Sequence, residues 1–472
     1  MRLTKIIATL GPASTSPRML GALVRAGIDV ARLNLSHGTH AGHARVIAQV
    51  RKLSRQTGRA VAILADLQGP KVRVGRLPGG AVRLKVGSTV TLATREARGR
   101  SGVIPVFHRH LARDVRPGHP ILLDDGRMEL KVLRVRGSDV QCRVISGGRL
   151  LENKGMNLPL SSLSGAGLTA KDRADLGFAL DQGVDYLALS FVRGPADIEA
   201  VRRLVRRGRR YVPLIAKLER RAAVQRLGEI LDAADGVMVA RGDLGVEVPL
   251  EQVPTLQKGI LRAANRAGVV VITATQMLES MVDQPRPTRA EASDVANAIF
   301  DGTDAVMLSA ETASGRHPLK AVAVMDRIIR EAEGSGFATT MPDEALAGSR
   351  PDVHAVAHAA RDAAGQAGAR AIVVYTQTGT TARILSKLKP PCPIIAFAPS
   401  QDVRRRMSLY RGVLPLAMRL ARSTDRMLAD GERAILRQGI LKRGERVVIV
   451  SGTSTQSGAT NLMKVHRLGE SR

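Results

Sequence analysis

The chain has 472 residues, 44% of them hydrophobic, and a formal charge of +30, which allows two or three globular domains with a sizeable core. No apolar run approaches the roughly 18 residues of a membrane span. The opening residues enter a strand pattern at once, so we expect neither a signal peptide nor a membrane partner. The two cysteines, Cys142 and Cys392, stand apart from other metal-type side chains. This excludes a disulfide framework and a cysteine zinc site, and it fits a cytoplasmic protein.

The basic excess could reflect a nucleic-acid surface or anionic small substrates. The densest basic run, residues 202–210, has Leu204 and Val205 on one helical face, which predicts that its arginines form the solvated side of a helix. Aromatic residues make up 2% of the chain and tryptophan is absent, so stacking platforms for single strands are not expected. We therefore expect no nucleic-acid partner.

The first part of the chain alternates buried strands with helices. Strands are predicted at residues 4–10, 28–35 and 61–64, and Ser16 followed by Pro17 predicts a capped helix start. Polar residues stand where the second and third strands end: Arg32, Asn34, Ser36, His37, Asp66 and Lys71.

The pattern then changes between residues 72 and 168, where helical periodicity is scarce. Short alternating pieces at residues 82–86 and 130–135 are separated by glycine-rich turns. This pattern predicts a small all-β insertion after the third strand.

The alternation of strand and helix resumes at residue 169. Five more strands are predicted at residues 184–191, 212–216, 236–240, 269–273 and 305–308, with one helix at 220–231. Eight strands, each followed by helix-like sequence, predict an α/β fold built on a (β/α)8 barrel, whose chemistry lies at the carboxyl ends of the strands. The polar residues at those ends are Arg32, Asn34, Asp66, Ser190, Lys217, Glu219, Asp243, Thr275 and Ser309.

The rest of the chain is organised around residues 215–247. Lys217 and Glu219 follow one buried strand, and Arg241 and Asp243 follow the next, so parallel strands should bring the four charges together. Two carboxylates beside a lysine suit Mg²⁺ with a cation for a phosphoryl group. Ordinary solvated loop charge is the alternative interpretation of the same cluster.

A linker is predicted at residues 335–350, and a separate α/β domain follows, with a helix at 353–366 and strands at 371–375, 393–397 and 446–451. The loop after its first strand combines hydroxyls, a glycine and a helix N-terminus, which suits phosphate. A capped helix without a ligand is an equally good interpretation. The candidate phosphate-binding residues are Thr376, Thr378, Gly379, Thr380 and Thr381.

Nine motifs in register resemble the pyruvate kinase family over essentially the whole chain. They are TKIIATLGPAS, RLNLSHG, DLQGPKVR, NKGMNLP, DYLALSFVR, IAKLE, VMVARGDLGVE, TATQMLESM and PTRAEASDVANAIFDGTDAVMLSAETA. The lysine in DLQGPK resembles a bacterial type of the family. The resemblance implies transfer of the phosphoryl group of phosphoenolpyruvate to ADP, giving pyruvate and ATP.

The resemblance also implies an architecture. A (β/α)8 barrel would be interrupted by a small all-β lid and followed by a C-terminal α/β effector domain, and the chain would form a homotetramer. The expected boundaries are residues 1–69 and 169–340 for the barrel, 70–168 for the lid and 350–472 for the effector domain.

Roles for individual residues follow from the same resemblance. Glu219 and Asp243 match the family's Mg²⁺ carboxylates, and Lys217 matches the lysine that stabilises the phosphoryl group in flight. Arg32 and Ser190 match substrate contacts, with Arg32 on the phosphate.

The remaining roles concern the carboxylate, the nucleotide and a monovalent cation. The backbone N–H groups of Gly242 and Asp243, with Thr275, match the carboxylate site, and Thr275 and Ser309 lie near the carbon that must be protonated. Nucleotide contacts are implied for Asn34, His37, Arg73 and Lys154. A monovalent-cation site is implied for Asn34, Ser36, Asp66 and the carbonyl of Leu67.

The lysine at position 71 bears on K⁺. Family members with glutamate there need K⁺, whereas those with lysine generally do not. An ammonium group can supply the positive charge that a carboxylate would need from a bound cation. We therefore expect Mg²⁺ to be required and K⁺ not.

The effector is expected to be a sugar monophosphate or AMP. Family members that respond to fructose bisphosphate often add a tryptophan and an arginine. This chain lacks tryptophan and has Met427 near that arginine position, although Arg422 and Arg426 are close.

Two alternatives stay open at this point. Another Mg²⁺-dependent barrel enzyme acting on pyruvate or phosphoenolpyruvate would not need ADP. An inactive regulatory or nucleic-acid-binding relative would lack turnover, which the presence of Lys217, Glu219, Asp243 and Thr275 argues against.

Overall fold

The computed structural model describes residues 1–94, 102–161, 167–208, 211–337, 351–419, 423–452 and 460–470. Most of the predicted linker, Arg422 and the expected boundaries at 340, 350 and 472 lie outside these residues.

A closed barrel of parallel strands forms the centre of the molecule, and each strand pairs with its neighbours in sequence. We number its strands 1 to 8 in chain order: Lys5–Leu10, Val30–Asn34, Ala62–Leu67, Tyr186–Leu189, Leu214–Leu218, Gly236–Ala240, Val270–Ala274 and Ala305–Leu308. Because both faces of each strand are covered, these segments are almost continuous apolar runs. The predicted barrel is confirmed.

Helices surround the barrel, and their starts follow local capping rules. The predicted start at Ser16 is confirmed, because its side chain accepts a hydrogen bond from the N–H of Met19 and Pro17 is the first helical residue. Thr169 and Thr288 each form a capping box with the acidic residue three positions later. The helices of this part are Pro17–Ala26, His40–Thr57, Ala170–Asp181, Pro195–Arg207, Arg221–Gln225, Leu227–Ala233, Arg241–Glu247, Val253–Arg266, Arg289–Phe300, Ala310–Ala313 and Pro318–Gly334, with 3₁₀ turns at Leu250–Gln252 and Glu279–Val282.

Two details of the helix predictions are wrong. The predicted helix at 220–231 is two helices, because Arg226 leaves helical geometry at φ −109° and ψ 27° and packs its guanidinium against Gly194. Gly228 in the next turn also weakens a continuous helix. In the run 202–210, Arg203 is solvated as predicted, but Arg202 donates to the carbonyl of Ala233 and to Asp235.

The insertion after barrel strand 3 is all-β as predicted, apart from the short helix Leu111–Asp114 and the 3₁₀ turn Pro78–Gly80. Within the described residues it forms a six-stranded sheet and a two-stranded sheet around its own apolar core. Its strands are Ala81–Leu84, Thr89–Ala93, Val103–Pro105, Pro120–Leu123, Met128–Arg136, Asp139–Ser146, Gly148–Leu151 and Met156–Asn157.

The C-terminal part is an α/β domain around a five-stranded sheet, in which only the last strand runs antiparallel among the described residues. Its strands are Ala371–Tyr375, Ile394–Ala398, Val413–Ala417, Arg446–Gly452 and Thr460–Arg467. Its helices are Pro351–Gln366, Thr380–Lys387, Gln401–Arg406 and Thr424–Arg437, with a 3₁₀ turn at Met407–Leu409.

The C-terminal domain docks against the amino ends of the barrel strands. Lys387 Nζ lies 2.6 Å from Asp304 Oδ2, with both side chains 1% exposed. The hydroxyl of Tyr186 donates to the carbonyl of Arg406 at 2.6 Å. This docking leaves the carboxyl ends of the strands open.

Within the described ranges, no helix is both long and apolar enough to cross a bilayer.

Candidate active site

A buried lysine lies at the centre of the carboxyl end of the barrel. Lys217, on barrel strand 5, places Nζ 2.7 Å from Glu219 Oε1 and 3.5 Å from Asp66 Oδ1. It also donates to Ser190 Oγ at 2.8 Å. Strands 3, 4 and 5 therefore bring together four residues that the sequence analysis singled out.

The charges of this cluster depend on one another. Burial alone would lower the pKa of Lys217, but Asp66 and Glu219 raise it above its ordinary value. Burial would raise the pKa of Asp66, yet Lys217 and Arg32 hold it below its ordinary value. For Glu219, burial outweighs the opposing effect of Lys217 and its pKa is raised. Lys217 and Asp66 are thus charged at neutral pH.

The backbone after barrel strand 4 orients Glu219. The N–H of Phe191 donates to Glu219 Oε2 at 2.6 Å, and Phe191 adopts a left-handed φ of 57°. Such a conformation is unusual for a bulky residue. The chain therefore turns sharply to hold one oxygen of Glu219, while the other faces Lys217.

Arg32 is held rigidly on barrel strand 2. Its Nε and Nη2 lie 2.8 and 2.7 Å from Asp66 Oδ2, and its Nη1 donates to Thr9 Oγ1 at 2.9 Å. A guanidinium fixed in this way keeps further donors for an anion.

Asp243 lies in the first turn of the helix Arg241–Glu247, where it is partly exposed. Its Oδ1 is 3.7 Å from Lys71 Nζ, which also lies 3.8 Å from Asp125 of the lid. The ammonium group of Lys71 thus lies near Asp243. The carboxylate of Asp66, in contrast, pairs with Arg32 and Lys217.

Glu219 and Asp243 are a donor set that fits Mg²⁺. Among the described residues, no group of three or more His, Cys, Asp or Glu side chains is arranged for a metal. Mg²⁺ commonly uses one or two carboxylates and completes its shell with water and substrate oxygens. Glu219 and Asp243 together match that requirement.

The side chain of Arg241 stabilises the turn after barrel strand 7 by hydrogen bonds to its backbone carbonyls. Thr275 and Gln276 have left-handed φ values of 66° and 54°, and Arg241 Nη2 donates to their carbonyls at 2.8 and 3.1 Å. Arg241 also pairs with Asp294 at 2.6 Å. The sequence-based grouping of Arg241 with Lys217, Glu219 and Asp243 is therefore wrong, because its side chain faces away from them.

The hydroxyl of Thr275 contacts the next loop. Thr275 Oγ1 accepts the N–H of Gly242 at 2.8 Å and donates to the carbonyl of Ala274 at 2.6 Å. In this structure the Gly242 N–H is therefore occupied by a protein oxygen.

Ser309 follows barrel strand 8. Its Oγ is buried and has no hydrogen-bond partner among the described residues, and its N–H donates to Glu311 Oε2 at 2.6 Å. Glu311, fully buried, also accepts the N–H of Leu278 at 3.1 Å. The sequence analysis did not identify Glu311 as a buried acceptor for these two backbone N–H groups, since a glutamate three residues after a strand carries no signal of burial.

Comparison with known proteins agrees with this geometry. Residues 1–322 match the family described as "Pyruvate kinase, barrel domain", and residues 354–466 match "Pyruvate kinase, alpha/beta domain". A pyruvate kinase of Mycobacterium intracellulare is 46% identical over 471 residues, covering 99% of this chain and 98% of the relative. A pyruvate kinase of Corynebacterium glutamicum is 45% identical over 470 residues, with the same coverage. The chain belongs to the pyruvate kinase family.

It is therefore a phosphotransferase that acts on phosphoenolpyruvate and ADP and depends on Mg²⁺. The other barrel enzymes considered above are not favoured, because the match to pyruvate kinases includes the C-terminal domain.

The residues expected on the nucleotide side fall into two groups. Asn34 and His37 line a cavity of about 1080 Å³ beside barrel strand 2. Arg73 and Lys154 lie in the lid, where Arg73 donates to the carbonyl of Asn153 at 3.0 Å and Lys154 pairs with Asp124 at 2.7 Å. Neither of these two lines that cavity.

The expected monovalent-cation residues lie close together at the ends of strands 2 and 3. Asn34 pairs with Asp66 in strand register, and Asn34 Oδ1 accepts the N–H of Ser36 at 3.2 Å. Leu67 ends barrel strand 3 and is buried.

The hydroxyls of the expected effector loop form two pairs with different surroundings. Thr376 accepts the N–H of Gly379 at 3.0 Å, and Thr381 hydrogen-bonds Thr460 at 2.8 Å. Thr378 and Thr380 bond one another at 3.0 Å and face the barrel. Met427, in contrast, is buried in the domain core.

Proposed function

We propose that phosphoryl transfer from phosphoenolpyruvate to ADP takes place at the Lys217 cluster. The observation that carries the proposal is one ammonium group held by Asp66, Glu219 and Ser190. Phosphoryl transfer needs positioning and charge stabilisation rather than covalent help from the protein. A buried ammonium that remains charged suits that task.

The substrate would be held at both ends. Arg32 would bind its phosphate, while Thr275 with the N–H groups of Gly242 and Asp243 would bind its carboxylate. Since the Gly242 N–H donates to Thr275 Oγ1, a carboxylate oxygen would take the place of that hydroxyl oxygen. The Thr275 hydroxyl would then turn its proton from the Ala274 carbonyl to the substrate carboxylate.

Glu219 and Asp243 would hold Mg²⁺, which when bound neutralises charge on the phosphoryl oxygens. An oxygen of the ADP β-phosphate forms a bond to phosphorus while the bond to the enol oxygen breaks. The enolate then accepts a proton at its terminal carbon and becomes pyruvate. Thr275 and Ser309 are the proposed relay for that proton, and the unpartnered Ser309 Oγ supports this role.

ADP would bind between the cavity beside strand 2 and the lid. Asn34 and His37 would contact it from the barrel, and Arg73 and Lys154 from the lid. Lid closure would bring the two groups together, which is consistent with the existing contact of Lys71 with Asp125 and Asp243.

K⁺ would not be required. The site formed by Asn34, Ser36, Asp66 and the Leu67 carbonyl would still admit a cation. However, Lys71 Nζ lies within 4 Å of Asp243 and would supply positive charge beside the phosphoryl groups. Unit charges about 4 Å apart interact by roughly 4 kcal/mol at an effective dielectric of 20.

Further proposals concern the whole protein. The loop Thr376, Thr378, Gly379, Thr380 and Thr381 would bind the phosphate of a sugar monophosphate or of AMP. The chain would act in the cytoplasm as a homotetramer, divided into 1–69 and 169–340 for the barrel, 70–168 for the lid and 350–472 for the effector domain.

The function is tested by coupling pyruvate release to lactate dehydrogenase and NADH. We expect NADH oxidation that requires phosphoenolpyruvate, ADP and Mg²⁺ together, with ATP formed in equal amount. Pyruvate release without ADP would indicate a different barrel enzyme. Absence of turnover in folded protein would indicate an inactive relative.

A further inference from the structure

Two chain connections join the lid to the barrel, and one buried carboxylate contacts both. The outgoing connection begins at Gly69, just after barrel strand 3, and the returning connection ends at Thr169, which caps the helix Ala170–Asp181. Asp172, fully buried in the first turn of that helix, accepts the N–H of Gly69 on Oδ1 at 2.9 Å. Its Oδ2 accepts the N–H of Thr169 at 2.9 Å and the Thr169 hydroxyl at 2.6 Å. A single side chain therefore bridges the start and the end of the insertion.

Helix capping accounts for only half of this arrangement. In a capping box, the third helical residue accepts the N–H of the cap residue, and the cap hydroxyl accepts the N–H of the third residue. Asp172 Oδ2 and the hydroxyl of Thr169 fulfil these roles. The bond from Asp172 Oδ1 to the N–H of Gly69, which we call the hinge contact, joins positions 103 residues apart. It adds no bond to the helix start, so it requires another explanation.

The hinge contact fixes Gly69 beside the active-site end of barrel strand 4. The φ of Gly69 is 69°, and a Cβ there would lie 2.8 Å from the carbonyl oxygen of Ser190 and 3.1 Å from the ring of Phe191. Only glycine tolerates so close an approach in this conformation. Ser190 and Phe191 both support the Lys217 cluster through hydrogen bonds. Asp172 thus holds the outgoing connection against the backbone that carries the active site.

The chain changes direction immediately after this fixed point. The N–H of Lys71 donates to the carbonyl of Gly69 at 2.9 Å, which closes a three-residue turn around Pro70. The ammonium group of Lys71 then lies near both Asp125 of the lid and Asp243 of the barrel. A fixed Gly69 therefore defines the point from which the lid can rotate.

We propose that Asp172 is a positioning residue that sets the orientation of the lid by fixing both of its connections to the barrel. The inference rests on the proposed function, in which ADP is bound from the barrel and, through Arg73 and Lys154, from the lid. Without the hinge contact the lid would adopt more orientations, so the one that brings Arg73 and Lys154 to ADP would be populated less. The apparent affinity for ADP falls by the same factor. Phosphoenolpyruvate, held by barrel residues in the proposal, should be affected much less.

The test uses the full-length enzyme and separates the hinge contact from the helix cap. Asp172→Glu keeps the capping box, because glutamate is a preferred third residue and Glu291 occupies that position after Thr288. Its additional methylene group moves the other carboxylate oxygen out of line with the N–H of Gly69. We expect the KM for ADP to rise about tenfold and the KM for phosphoenolpyruvate to change by less than about twofold. Asp172→Asn, which offers one acceptor oxygen in place of two, should show the same difference.

Thr169→Val is the matched control, because it removes the capping hydroxyl and leaves the bond between Asp172 and Gly69 in place. It should lower the melting temperature without changing either KM. Hydrogen exchange followed by mass spectrometry adds a measurement that does not depend on turnover. Amides in the segment 68–75 should exchange about tenfold faster in both Asp172 variants, and at the parent rate in Thr169→Val.

Three outcomes would overturn the inference. An unchanged KM for ADP in folded Asp172→Glu or Asp172→Asn would show that the lid does not depend on this carboxylate for its orientation. An equal rise of that KM in Thr169→Val would assign the effect to the helix cap. Parent-like exchange of the segment 68–75 in the Asp172 variants would show that the hinge contact does not fix the connection. Failure of the proposed reaction would instead appear as no turnover in the parent, and hydrogen exchange would still report on the hinge contact.

Discussion

The role of Lys217 can be tested by removing its charge while keeping its length. In Lys217→Met we expect the turnover number to fall by about three orders of magnitude or more, because the phosphoryl group loses its cation. Substrate affinity should change little, since Arg32 and the carboxylate site remain. Lys258→Met, on an exposed helix position, is the control. A near-normal turnover number would show that Lys217 does not take part in phosphoryl transfer.

The metal assignment concerns Glu219 and Asp243. Asp243→Ala should raise the Mg²⁺ concentration at half-maximal activity and reduce the turnover number by orders of magnitude, since the transferring group loses its counter-ion. Magnesium titrations of the variant and of the parent measure both effects. A variant within about threefold of the parent would remove Asp243 from the metal site.

The role of Lys71 is tested by changing the monovalent cation. With tetramethylammonium as the only such cation, adding K⁺ at matched ionic strength should alter kcat/KM by less than about tenfold, or 1.4 kcal/mol. Lys71→Glu should create a K⁺ requirement, because a carboxylate beside Asp243 adds negative charge. Stronger stimulation of the parent would indicate that Lys71 does not replace the cation.

At the level of single residues, the sequence shows which charged residues follow the barrel strands, but not which way their side chains point. Lys217, Glu219 and Asp66 could be predicted to converge because they extend parallel strands. Arg241 also follows a strand, yet it turns beneath the loop after strand 7. That orientation depends on two left-handed residues and on Asp294, which lie 34 to 53 positions away.

At the level of elements, Arg241 is a positioning residue for the turn at Thr275 and Gln276. Non-glycine residues in left-handed conformations cost about 1 kcal/mol or more each, so the turn needs the guanidinium that holds its carbonyls. In Arg241→Lys we expect the KM for phosphoenolpyruvate to rise about tenfold, with a smaller change in the turnover number. Arg262→Lys, exposed on the following helix, is the control. A lower melting temperature with an unchanged KM would show that Arg241 stabilises the fold but does not position the turn for substrate binding.

The strands that could be predicted are the ones buried on both sides. Each barrel strand is a short, continuous apolar run, and the structure shifts its ends by only a few residues. Val413–Ala417 was not predicted, because Pro415 within it argues against a strand. Thr460–Arg467 was missed because it is a largely exposed edge strand with charged residues. Its membership in the sheet depends on pairing with Arg446–Gly452.

At the level of the whole molecule, docking of the C-terminal domain buries cations against the barrel. Lys387 pairs with Asp304, whereas Lys389 forms no ion pair within the described residues and its ammonium lies against Gly302. Burial lowers the pKa of Lys389 to about 7, and Lys387 and Arg411 act in the same direction, while Asp304 and Asp301 oppose them. Lys389 should therefore oppose docking when it is protonated.

This arrangement predicts a pH dependence of stability. Between the folded pKa of about 7 and the ordinary value of 10.5, the unfolded chain holds a proton that the folded chain lacks, so stability should rise with pH across that window. Lys389→Met should remove this rise. At pH 7 it should also stabilise the protein by about 1 to 3 kcal/mol, less than the full shift implies because the side chain is partly exposed. Urea unfolding midpoints at pH 7 and pH 9 measure both effects, with Lys442→Met, at an exposed position of the same domain, as control. An unchanged rise in Lys389→Met would show that other groups cause it.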